Sequence, residues 1–196
     1  MTRFLIGFVL GVGAILLGMY CYVRFGFVDP RADTEVGALE QKVAMPALDA
    51  AVDRRAPDVK NPIEPTDDNL IAGMNIYQTA CAGCHGDIVH PHAEFGDSFY
   101  PRAPQFVEDA PDMPENQNFY IIQHGVRLSG MPAWKSSFKE QELWQVTTFL
   151  SHMGKLPTNV SAAWKTAAST PAPGGSSSSD TQPQTQDKKD GAKPAH

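Results

Sequence analysis

The chain has 196 residues, 42% of them hydrophobic, which is room for one ordinary domain and some additional segments. The formal net charge is −6, with 22 acidic against 16 basic residues, and that balance gives no support to nucleic-acid binding. Three cysteines cannot build the disulfide framework of a small secreted scaffold.

Residues 1–24 are expected to be a transmembrane signal anchor. Phe4 to Val23 is an uncharged apolar run between Arg3 and Arg24. As a helix it spans ~30 Å, the thickness of a bilayer core. A cleavable signal has an apolar core of only about 7–15 residues and a small-residue cleavage site. This run is longer, and Gly18-Met19-Tyr20-Cys21 lacks that pattern. Bulky Tyr20 also argues against a lipid anchor on Cys21. Arg3 biases the N-terminus to the cytoplasmic side. Gly7 and Gly11 are spaced as a helix-docking pair, although glycine is common in membrane helices anyway.

Residues 25–65 read as an extended connector with one short helix. Pro30, Pro46, Pro57, Pro62 and Pro65 punctuate it. Pro46 suits a first helical position, and Leu48, Ala51, Val52 and Arg55 follow at helical spacing before Pro57. As a loose coil such a connector spans ~35 Å, and fully extended it reaches roughly 140 Å.

The domain proper is expected over 66–157. Thr66 is a good N-cap, with Asp67 and Asp68 in the first turn where the helix dipole favours acids. Leu70, Ile71, Met74 and Tyr77 share one face of the helix that follows, which runs into Cys81. From Gly86 to Pro114 the chain is proline-rich and loop-like. A loop of that length argues against a compact domain unless a bulky group replaces part of the core. A helix is expected over 115–124, stopped by Gly125, and a last one from about Lys139 to Met153, with Leu143, Val146, Thr147 and Leu150 as its apolar stripe. Residues 158–196 are expected to be a low-complexity tail. From about Lys165 the composition is Pro, Ser, Gly, Thr, Gln, Asp and Lys, which cannot bury enough apolar area to offset ordering entropy.

The chemistry concentrates in Cys81-Ala82-Gly83-Cys84-His85. C-x-x-C-H is the spacing at which a c-type haem is attached: each thiol forms a thioether to the ring edge, and the adjacent histidine meets the iron. A thioredoxin-like dithiol needs a βαβ pattern that is not visible here. A zinc site recruiting Cys81, Cys84, His90 and His92 is the better rival, but leaves His85 beside the second cysteine unexplained. One motif implies one haem c, held covalently through Cys81 and Cys84, and a protein that moves single electrons.

Such an iron takes a second axial ligand, and methionine raises its reduction potential. The candidates are Met113, Met131, Met153, His90, His92, His124 and His152. Met131 stands out, between Gly130, which permits close backbone approach, and Pro132, which stiffens the loop. Met113 and Met153 read as fillers, His90 and His92 as solvated, and His124 as a helix-end residue. Trp134 reads as packing for the haem pocket. Arg127, Lys135 and Lys139 cluster around Met131 in sequence, as surface charge or as partners of a propionate or another protein. Residues 67–157 carry 11 acidic and 5 basic side chains, including Glu108, Asp109, Asp112 and Glu115, an ordinary soluble surface or one that orients a basic partner.

A helix, CAGCH, a proline-rich loop, a short helix, Gly-Met-Pro and a terminal helix together resemble class I cytochrome c, in particular the membrane-anchored monohaem cytochromes of bacterial respiratory chains. The resemblance covers about residues 66–156. It implies an all-α class I cytochrome c fold wrapped around one haem. It implies His85 and Met131 as the iron ligands, and a crossing of Gly73 and Tyr77 against Leu143 and Trp144. Pro104 becomes the residue whose carbonyl orients His85, with Pro101 the weaker candidate. The function expected is electron transfer without catalysis, between membrane oxidoreductase complexes that act as donor and acceptor. The haem domain faces the periplasm from a single-pass anchor in the inner membrane. The alternative is a haem c subunit docked in a larger complex: an oxidase, nitric oxide reductase, dehydrogenase or quinol-oxidising complex. A third possibility, a haem sensor with a vacant sixth site, sits poorly with Gly130-Met131-Pro132.

Overall fold

The structure is a computed structural model that describes residues 1–27, 29–32, 34 and 37–170. Among the described residues every regular element is helical, as the sequence implied. Helix α1 (Thr2–Arg24) is apolar along its length, with a mean hydropathy of 2.3 over an 18-residue stretch. It is the one helix, among the described residues, long and apolar enough to cross a membrane.

Helix α2 (Ala38–Arg55) replaces the short helix expected in the connector. Pro46 sits inside it rather than at its start. A proline inside a helix removes one backbone hydrogen bond and costs about 3 kcal/mol. The local signal from Pro46 is overridden here by packing: Val52 is buried, and Gln117 donates to the Asp53 carboxylate at 3.2 Å.

The core lies between helices α3 (Asp67–Ala80), α5 (Glu115–His124) and α6 (Glu140–His152), with the one-turn helix α4 (Ala82–His85) at the end of α3. Thr66 caps α3, its Oγ1 accepting from the Asn69 amide. The face predicted for α3 is largely the buried one: Leu70, Met74 and Tyr77 go inside with Gly73, and Ile71 is half-buried. Leu143, Val146, Thr147 and Leu150 of α6 are all buried. Glu142 closes the start of α6 by accepting from the Lys139 amide at 2.7 Å.

Helices α3 and α6 cross at Gly73 and Tyr77 as expected, and the residues they meet on α6 are Gln145 and Phe149. A Cβ at Gly73 would collide with the Gln145 backbone and Phe149, so the crossing is a backbone-to-backbone approach that only glycine permits. Tyr77 meets Phe149 with ring centroids 5.5 Å apart. Trp144 turns away and stacks on Phe119 of α5 at 3.8 Å.

The expected boundary at residue 157 is corrected. Helix α7 (Thr158–Ala168) follows, with Val160 and Trp164 buried. Trp164 packs edge-on against Tyr77 and Phe149, at 5.9 and 5.1 Å. Its indole N–H donates to Gln78 Oε1 at 2.9 Å. The low-complexity composition begins only after this helix, and residues 171–196 of the expected tail lie outside the described residues.

Candidate functional site

The Cys81–His85 segment is held by its own backbone and by Tyr77. Helix α3 ends at Cys81, and α4 turns the chain so that both cysteines and His85 line one cavity of about 330 Å³. The Tyr77 hydroxyl donates to the carbonyls of His85 and Gly86, at 3.2 and 2.7 Å. Burial pushes the Tyr77 phenol well above its ordinary range, so it remains a donor. Gly86 leaves α4 at φ +77, and a Cβ there would meet the Pro91 carbonyl. Asp87 then ties the turn, accepting from the amides of Val89 and His90 at 2.8 and 2.7 Å.

His85 is buried, and its Nδ1 lies 2.8 Å from the Pro104 carbonyl oxygen. A carbonyl only accepts, so Nδ1 carries the proton and Nε2 keeps a free lone pair. Burial, partly opposed by that hydrogen bond, lowers the His85 pKa and so favours the neutral imidazole. The ring stacks on Phe106 at 4.4 Å with an interplanar angle of 5°. A neutral imidazole with one nitrogen anchored and the other free is the form that binds a metal.

Burial holds both cysteines toward the thiol form. Burial, with Cys84 nearby, pushes the Cys81 thiol up to about 12. Burial also raises Cys84. A reactive dithiol needs a stabilised thiolate, which burial disfavours here. His90 and His92 turn to acids instead: His90 lies 3.5 Å from Asp87, and His92 lies 2.8 Å from Asp97 and 3.6 Å from Glu108. Among the described residues no three His, Cys, Asp or Glu side chains gather as a metal site.

Met131, Pro104 and Trp134 line the same cavity as Cys81, Cys84 and His85. The Met131 loop is fixed at both ends of the residue. Its carbonyl accepts from the Val126 amide at 3.1 Å, and its amide donates to Ser129 Oγ at 3.1 Å. A Cβ at Gly130 would enter the Phe99 ring, so the loop lies flat on Phe99. Met113 also lines the cavity, whereas Met153 is core and His124 is an exposed helix end.

Arg127, Lys135 and Lys139 are exposed and do not line the cavity; the basic side chain that does is Arg102. Arg102 lies inside Pro101-Arg102-Ala103-Pro104, yet carries no motif of its own. Phe106, Met45 and Leu48 also line the cavity, and sequence reasoning assigned none of them to the site. Only their apolar character was readable.

The donor set fits a c-type haem: two thiols, one neutral imidazole with a free nitrogen, and a thioether on a stiff loop, around a largely apolar cavity. Comparison with known families agrees. Residues 68–150 match the family model described as cytochrome c oxidase, cbb3-type, subunit III. No curated protein and no solved structure matches the chain. The all-helical unit built around Cys81–His85 is a c-type cytochrome domain.

Proposed function

We propose that this chain is a membrane-anchored cytochrome that carries one covalent haem c and passes single electrons between membrane oxidoreductase complexes and a terminal acceptor. The observation that carries this reading is the convergence of Cys81, Cys84, His85 and Met131 on one cavity. Cys81 and Cys84 would hold the haem by thioethers, and His85 and Met131 would ligate its iron. The bound haem supplies a reversible one-electron iron couple. Pro104 fixes the His85 ring through Nδ1, while Phe106 and Trp134 keep water from the pocket. Helix α1 stays on as the anchor in the inner membrane, with the haem domain in the periplasm.

A second reading is favoured by the name of the matching family: a haem c subunit resident in an oxidase complex. Electron transfer is common to both, and they differ in whether the domain moves between partners.

The oxidised holoprotein is expected to show the weak near-infrared band of a methionine–iron bond. Met131→Ala should abolish it, while Met113→Ala and Met45→Ala retain it. Retention in Met131→Ala with loss in either other variant overturns the assignment. Intact mass of the membrane fraction checks the anchor: a mature chain beginning after about residue 20 refutes retention of α1.

A further inference from the structure

Helix α2 lies outside residues 68–150, the stretch the family model matches, yet it faces the same cavity as the Cys81–His85 motif. Met45, Leu48 and Asp49 all line that cavity. With Val52 they stand at i, i+3, i+4 and i+7, which places them on one stripe of the helix. The stripe is anchored at its C-terminal end. Val52 is 3% exposed, Gln117 donates to Asp53 at 3.2 Å, and Asn116 donates to the Pro57 carbonyl at 2.9 Å. Val43, off this stripe, is 59% exposed.

We propose that α2 is a wall of the haem pocket, in which Leu48 and Met45 shield the haem from water and Asp49 sets a negative charge beside it. The proposal rests on the reading of the cavity as the haem site. The two kinds of side chain act on the iron couple in opposite directions. Oxidised haem carries one more positive charge than reduced haem. An apolar wall disfavours that extra charge and raises the reduction potential. A carboxylate favours it and lowers the potential. The connector would thereby be a potential-setting element as well as a tether.

The test is a spectroelectrochemical titration of the full-length holoprotein in mild detergent. Leu48→Gln should lower the midpoint and Asp49→Asn should raise it, while Val43→Gln leaves it unchanged. Opposite shifts from neighbouring residues on one helix face are not produced by a general loosening of the fold. Met45→Gln, at a residue already 39% exposed, should lower the midpoint without threatening folding and replaces Leu48→Gln if that variant fails to accumulate. Unchanged midpoints in the Leu48 or Met45 variant and in Asp49→Asn overturn the proposal, as do shifts of one common sign. Absence of covalent haem from the wild-type chain refutes the haem-site reading itself, and the proposal with it.

Discussion

His85 shows how one residue's chemistry follows from its neighbours. Its ring is stacked on Phe106, its Nδ1 is engaged by Pro104, and its main-chain carbonyl accepts from Tyr77 and from the Phe106 amide. The Cys81–His85 motif is contiguous and can be read locally, whereas the pairing of His85 with Pro104 was expected only through the resemblance to class I cytochrome c. Phe106 was not, since nothing in sequence marks which aromatic of a long loop will turn inward. His92 is a residue whose surroundings give a pH prediction. The Asp97 hydrogen bond raises its pKa, against a smaller desolvation effect, with Glu108 adding to the rise. The same bond lowers Asp97. The raised His92 pKa makes its share of the pair complete below the ordinary histidine value and lost as pH climbs through the raised one. The lowered Asp97 pKa makes its share present above the ordinary aspartate value and lost as pH falls through the lowered one. Histidine resonances of the reduced protein should therefore show His92 titrating above ~6.5. Asp97→Asn should bring it down, and no change on that substitution would mean the pair does not form in solution.

At the scale of elements, α3, α5 and α6 were readable because each pairs an apolar stripe with a local start or stop. Thr66 opens α3, Gly125 at φ +67 ends α5, and Glu142 ties the first turn of α6. Helix α7 was missed because its residues, Thr158 to Ala168, carry few large apolar side chains and stand next to a polar tail. What makes it fold is tertiary: Trp164 fills a space between Tyr77 and Phe149 and bonds to Gln78. Gln78 in turn donates to Asp87 at 3.3 Å, so α7 is linked to the turn that follows His85. Removing a buried tryptophan side chain costs about 3–5 kcal/mol. Trp164→Ala, or truncation after Pro157, should lower the unfolding free energy of the holoprotein by an amount of that order, read as a lower denaturation midpoint. Truncation after Thr170 should leave the midpoint close to that of the full chain. Equal stability of the 157 and 170 truncations would mean that α7 is a bystander. The full extent of α2 was hidden for the converse reason: Pro46 reads locally as a helix start, and only contact with α5 reveals a helix on both sides of it.

The whole molecule behaves differently from what its sequence suggested, because α2 belongs with the domain. Val52 is buried, and Asn61 donates to Thr148 of α6 at 2.8 Å, so the chain is already attached to the domain well before Thr66. Only residues 25–37, about 13 positions, separate α1 from α2. Fully extended they reach at most about 45 Å, a third of the span a 25–65 connector allowed. With α1 in a bilayer, the haem domain is confined to partners close to the membrane surface, since electron transfer needs near contact. Doubling this segment with about 13 Gly and Ser residues discriminates the two readings of the function. For a carrier that moves between partners, effective concentration falls roughly as the −3/2 power of tether length, so turnover with the native membrane donor should drop about threefold. The same proteins, if any, should co-purify before and after. A domain resident in an oxidase complex has no encounter step to slow. Its turnover per assembled complex should then stay constant, and any lost activity should track lost subunits. A graded drop with unchanged co-purification supports the mobile carrier; constant turnover per complex overturns it in favour of the resident subunit.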